Sequence, residues 1–208
     1  MYLSHIPPHP TKYSRCIIML HGVWSNEWDL FWLKDQFHED DYIFSLQWPF
    51  HLGGTRYAWY RVDFSTGKPV YEIDDVMIGY SYITDCIKDI TAKYQLSPEQ
   101  IYLMGFSQWA IMSYYTLSRS PELMRWVICL SGRILPEIDT SSMDLNSFVW
   151  KRIFIWHGTE DQMISVRESD RAVEFARSIG IEPTLKLYRA PHTITREEIR
   201  DIVMWLKM

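Results

Sequence analysis

Met104–Gly105–Phe106–Ser107–Gln108–Trp109–Ala110 decides how the rest of the chain is read. The apolar run Ile101–Met104 enters it, and a helical pattern, Ile111, Met112 and Tyr115, leaves it. Strand, Gly, flanked Ser and helix is the order of a nucleophile elbow. A serine hydroxyl is a poor nucleophile until a base takes its proton. It must also stand clear of the backbone, and a sharp strand-to-helix turn achieves that. Small residues two before and two after the Ser let such a turn close. Gly105 meets the first need; Trp109 stands where the second small residue is expected.

Outward from this stretch, apolar runs alternate with helical spacing. Cys16–Leu20, Tyr42–Leu46, Trp126–Leu130, Ile153–Trp156 and Thr184–Tyr188 read as strands. Cys16–Leu20, apolar throughout, suits a parallel strand covered on both faces. Residues 1–13, rich in His and Pro, read as an arm or a short edge strand. Leu30, Leu33 and Phe37 place a helix over about Glu27–Phe37. Ile73, Val76, Met77, Tyr80, Ile83, Ile87, Ile90 and Tyr94 form the core stripe of a long helix. Ser97–Pro98–Glu99–Gln100 carries a capping signature, Ser165–Val166–Arg167–Glu168 opens a helix that stops at Gly180, and Thr195–Arg196–Glu197–Glu198 caps the terminal helix. Residues 133–150 read as an irregular loop. Gln47–Tyr71 is the least regular stretch, with Trp48, Phe50, Gly53–Gly54, Tyr57, Trp59, Tyr60 and Phe64. So many aromatics argue against disorder. Two readings stand side by side: a packed loop walling a binding site, or a satellite hydrophobic cluster.

Strand and helix alternate with no composition break and no repeat. The expectation is one α/β domain over residues 1–208, a mostly parallel central sheet with helices on both faces. A chain of 208 residues suits that architecture. A net charge of −5 without a block of like charge gives no nucleic-acid signal. Cys16, Cys86 and Cys129 are an odd count without secretory features, which suits reduced, buried thiols in a cytoplasm. No apolar run reaches membrane-span length, and the N-terminus lacks a signal h-region, so no membrane insertion is expected. No His-Glu-x-x-His or paired-Cys motif occurs, and no metal or cofactor is expected.

In such sheets, sites form beyond the carboxyl ends of the strands. Ser107, Asp161 and His192 each lie just past an expected strand, as does His21–Gly22–Val23. The order Ser…Asp…His is that of the α/β-hydrolase arrangement. Ser107 would attack an acyl carbon, His192 would carry its proton, and Asp161 would hold the imidazole in the right tautomer. Backbone N–H groups of Val23 and Gln108 would bind the oxyanion, Gln108 with the help of a helix N-terminus. Rival readings make His192 a brace for the last helix and Asp161 a turn residue, with Glu160 beside it as another acid. His21 and His157 precede a Gly at strand ends and read as turn buttresses. His5, His9, His38 and His51 have no partner motif.

The chain resembles the phospholipase/carboxylesterase group of small α/β hydrolases, from about Cys16 to the last helix. Leu20–His21–Gly22 looks like the family's oxyanion turn and Gly105–Phe106–Ser107–Gln108 like its nucleophile segment. Leu130–Ser131–Gly132 is similar to a strand end of the group, His157–Gly158–Thr159–Glu160–Asp161 to its acid loop with the acid at Asp161, and His192–Thr193–Ile194 to its histidine turn. The resemblance implies metal-independent hydrolysis of small esters or thioesters; carboxylesterase, acyl thioesterase and lysophospholipase all fit. The departures are Trp24 and Trp109 for Gly, Trp48 for a small residue, and Pro191 for Gly before the His. Three such gains are hard to place in a close-packed core. Trp24, Trp48 and Trp109 are therefore expected to face the acyl cleft and to favour short acyl chains, about two to four carbons, or compact aromatic acids. The rival is a catalytically silent, hydrolase-like ligand-binding protein, which follows if Trp109 pushes its helix off the strand.

Overall fold

The computed structural model describes residues 2–22, 26–47, 50–54, 56–63, 65 and 69–208. In chain order these form β1 (Tyr2–His5), β2 (Cys16–Leu20), α1 (Trp28–Phe31), β3 (Tyr42–Leu46), β4 (Phe50–Gly53), β5 (Arg56–Ala58), α2 (Ile73–Tyr94), β6 (Ile101–Phe106), α3 (Gln108–Arg119), β7 (Trp126–Leu130), β8 (Arg152–Gly158), α4 (Arg167–Ser178), β9 (Thr184–Tyr188) and α5 (Arg196–Trp205). Among the described residues the main sheet runs β1-β3-β2-β6-β7-β8-β9. All its pairings are parallel except β1 on β3. The apolar runs go to its centre, where both faces are covered. β1 and β9 form its edges and are partly exposed.

Side chains alternate across the sheet. Cys16, Ile18 and Leu20 join the helices α2, α3 and α4 in one core, while Ile17 and Met19 join Leu30, Leu33 and α5 in the other. The helices thus lie on both faces, as expected. After β3 the chain crosses back to place β6 on the other side of β2, so strand order reverses between β2 and β6. A crevice opens beyond the carboxyl ends of strands at such a switch point.

Several local expectations change. The helix expected over Glu27–Phe37 is one turn of α1 followed by a 3-10 segment, Trp32–Gln36. Leu30 and Leu33, three apart, satisfy either period. Gln47–Tyr71 contains a small antiparallel hairpin, β4 on β5, and Trp59 and Tyr60 beyond it are fully buried in the main core. Met77 is exposed, outside the buried stripe of α2. Capping boxes form at Ser97 and Thr195, but not at Ser165, because Glu168 turns to Arg171 instead. Cys16 and Cys129 are buried and Cys86 half-buried, all free thiols. No described helix is long and apolar enough to cross a membrane.

Candidate active site

The turn after β6 is built by backbone contact. Ser107 adopts φ 64° and ψ −123°, a conformation that costs an L residue about 1–3 kcal/mol and persists only where its surroundings impose it. Its N–H donates to the Leu130 carbonyl at 2.8 Å, so strand pairing holds it up to the turn. A methyl group at position 105 would lie 2.6 Å from the Trp109 carbonyl atoms. Gly105 alone therefore lets α3 fold back onto its own strand.

Trp109 does not need to be small at this turn. Its indole is fully buried, edge-on to Trp59 with centroids 4.5 Å apart, and 4.5 Å from the ring of His21. It belongs to the core and does not line the cavity over Ser107. This corrects the expectation that Trp109 faces an acyl cleft: the buried loop residue Trp59 provides the place for it. Nor is α3 displaced, the premise on which the silent-protein reading depended. Val23, Trp24 and Trp48 lie outside the described residues.

Ser107, His192 and Asp161 come together in one hydrogen-bonded line. His192 Nδ1 is 2.6 Å from Asp161 Oδ2, and His192 Nε2 is 2.9 Å from Ser107 Oγ. A carboxylate only accepts, so Nδ1 carries the proton and Nε2 is left to accept from the serine hydroxyl. The Phe106 ring lies along the imidazole, centroids 4.7 Å apart. Glu160, the rival acid, points away and pairs with Arg189 at 2.7 Å.

The acid and histidine turns are stitched to each other. Thr159 N–H donates to the Tyr188 carbonyl and Glu160 N–H to the Ala190 carbonyl. A methyl group at Gly158 would lie 2.3 Å from the Ala190 carbonyl oxygen, so only glycine permits this approach. Asp161 Oδ1 accepts from the N–H groups of Met163 and Ile164 at 2.8 and 2.9 Å. Burial alone would raise the Asp161 pKa; the bonds from His192, Ile164 and Met163 outweigh it and hold the carboxyl below its ordinary value. His157 buttresses this turn, its Nε2–H donating to the Ile164 carbonyl at 2.8 Å and lying 3.5 Å from Asp161 Oδ2. Burial lowers the His157 pKa and keeps the ring neutral. His21, at the end of β2, is likewise pushed down by burial, to about 3.

A cavity of about 440 Å³ opens over Ser107 and His192. Its walls include Tyr60 and Val62 from the stretch after β5, Ile111 from α3, Arg133 from beyond β7, and Met163 and Ile164 from the acid turn. Gln108 lines it too, and as the first residue of α3 its N–H has no acceptor within the helix. The side chain of Gln108 has a task that sequence reasoning missed. Its Oε1 accepts from Trp59 N–H at 3.2 Å and its Nε2 donates to the Tyr60 carbonyl at 2.8 Å, clamping the loop wall to the elbow. Arg133, the Phe106 ring and the His157 contact to Asp161 were also missed, for nothing in their spacing signals them. Another cavity, about 510 Å³ around Trp126, Trp150 and Arg152, lies at the amino ends of β7 and β8 and, among the described residues, has no serine, cysteine or histidine in its lining.

A model of the phospholipase/carboxylesterase family matches residues 4–208. The chain is 24% identical to acyl-protein thioesterase 1 of Emericella nidulans, covering 97% of this chain and 92% of that protein. Its fold resembles the crystal structure of a Bacillus cereus carboxylesterase, with TM-score 0.84 at 16% identity over 99% of this chain and 92% of the other. It also resembles esterase PE8, with TM-score 0.78 at 23% identity over 97% of each. These structural likenesses concern the fold.

Proposed function

The chain belongs to the phospholipase/carboxylesterase family of α/β hydrolases, and from that premise we propose that it is a serine hydrolase of small carboxylic esters or thioesters. Ser107 Oγ attacks the acyl carbon while His192 Nε2 takes its proton. Asp161 keeps the imidazole in the accepting tautomer and stabilises the imidazolium that forms. The tetrahedral oxyanion is received by the free N–H of Gln108 at the start of α3, with Val23 N–H as the second donor. His192 then returns the proton to the leaving alcohol or thiol. The acyl-enzyme is hydrolysed by the same relay, with water in place of Ser107.

The observation that carries this reading is the line Asp161–His192–Ser107, with bonds of 2.6 and 2.9 Å and its serine held at positive φ beside a cavity. A fluorophosphonate probe tests it. The native protein should be labelled and should hydrolyse p-nitrophenyl esters; Ser107→Ala should do neither while keeping its melting temperature. Label on the Ser107→Ala protein, or full activity in it, would end the proposal.

A further inference from the structure

We infer that Arg133 selects substrates carrying an anionic group, a carboxylate or phosphate, at a distance from the scissile bond. The inference rests on the proposal that Ser107 is the nucleophile of this cavity.

Arg133 is delivered there by a rigid turn. Ser131, just past β7, has φ 48° and donates its N–H to the Trp156 carbonyl at 2.8 Å. A methyl group at Gly132 would fall 2.3 Å from the Ala110 Cβ, so the turn is pressed onto the first turn of α3. The next residue is Arg133, half-buried in the lining of the cavity that Ser107 and His192 share. Its guanidinium lies over the Tyr71 ring, 5.7 Å from the centroid. It also hydrogen-bonds the Tyr60 hydroxyl, whose pKa burial carries up to about 12 against the pull of this cation. Tyr60 therefore stays neutral and supplies no counter-charge.

Among the described residues the nearby acids have other partners. Glu168 lines the same cavity but pairs with Arg171 at 2.9 Å. Glu137 accepts from Tyr71 Oη at 2.9 and 3.1 Å. Arg15, Arg61, Arg171, Arg177 and Arg189 each hold a carboxylate. Among the described residues no carboxylate oxygen comes within the 4.0 Å of an ion pair with Arg133. A planar fork of donors, half-buried in a lining that it shares with the apolar Val62, Ile111 and Met163, meets no carboxylate among the described residues, and a carboxylate or phosphate is the acceptor that its geometry matches. An anionic substrate group supplies that acceptor. The group belongs either to the acyl part or to the leaving group.

Matched ester pairs decide between these sources. p-Nitrophenyl hydrogen adipate against p-nitrophenyl hexanoate places the carboxylate on the acyl side. Carboxymethyl butyrate against ethyl butyrate places it on the leaving side. In one of the pairs the anionic ester should be preferred by about 10- to 100-fold in kcat/KM, the range of a charge-assisted hydrogen bond. The preference should collapse in Arg133→Gln and survive in part in Arg133→Lys. A ratio under about twofold in both pairs, or one that Arg133→Gln leaves intact, overturns the inference. Binding is read separately, without turnover, by calorimetry on Ser107→Ala protein with monomethyl adipate and methyl hexanoate. Turnover without anion preference defeats Arg133 and leaves the hydrolase proposal standing. Anion binding lost in Ser107→Ala/Arg133→Gln, with no ester turned over by the native protein, keeps the anion site and defeats the hydrolase proposal.

Discussion

Asp161 divides its two carboxylate oxygens between the backbone and the imidazole. Oδ1 is spent on the Met163 and Ile164 N–H groups, leaving Oδ2 aligned on His192. Its lowered pKa keeps it ionised through the neutral range; the stability it contributes is lost only as pH falls through that depressed value, in acid. Asp161→Asn keeps the shape but can present an N–H to Nδ1 and reverse the tautomer. By analogy with serine proteases it should cut kcat on the order of 10⁴-fold with little change in KM. Glu160→Gln, losing only an exposed pair with Arg189, should leave kcat within about threefold. The opposite ranking in a p-nitrophenyl ester assay would reassign the acid. Trp109 calls for a different kind of measurement. Its indole is core, so Trp109→Gly should open a void and cost about 3–5 kcal/mol of stability in a denaturant titration. A variant that melts like the native protein would show that the indole packs against little.

The loop wall that follows β5, described over residues 59–63, is held by polar clamps. Gln108 grips Trp59 and Tyr60. Asp75, buried on α2, takes Arg61 in a two-bond fork at 2.7 and 2.9 Å and its N–H at 3.2 Å. Asp75→Ala should therefore raise KM several-fold, by about 1 kcal/mol of lost positioning, while kcat for a small ester stays nearly level. A fall in kcat with KM constant would place the clamp in the chemistry instead. The central strands were legible because apolar runs covered on both faces have no other stable place. The candidate triad Ser107, Asp161 and His192 was legible because each lies shortly past a strand, one residue after β6, three after β8 and four after β9. The hairpin β4–β5 was not, since its Gly53–Gly54 turn is set among aromatics that read equally as loop. Trp109 misled for a physical reason. A large residue at a tight turn reads as displaced into the cleft unless one knows that Trp59, about fifty residues away in sequence, has made a site for it. Arg133 gave no signal, because only the fold shows that it meets no carboxylate among the described residues.

At the scale of the whole molecule, the parallel pairing of β6, β7, β8 and β9 gathers the elbow, the acid turn and the histidine turn at the carboxyl ends of the strands. The histidine turn runs into α5, which closes the second core and carries a buried acid. Glu198 is fully buried; its Oε2 accepts from Thr195 N–H at 3.0 Å, and its Oε1 has no hydrogen-bond partner among the described residues. Burial raises its pKa to about 9, only partly countered by the Thr195 bond. The folded chain thus holds a proton there that the unfolded chain gives up near its ordinary carboxyl value of about 4.3. Between those values the native state binds more protons than the unfolded one, so this group's contribution declines with rising pH and is exhausted past about 9. The slope is up to about 1.4 kcal/mol per pH unit. Glu198→Gln keeps the capping acceptor and removes the titration. Urea unfolding of the two proteins at several pH values from acid to alkaline should therefore show curves that diverge, with the variant gaining on the native protein as the medium becomes more basic. Parallel curves would mean that Glu198 is ionised in the fold and that α5 opens to let water reach it.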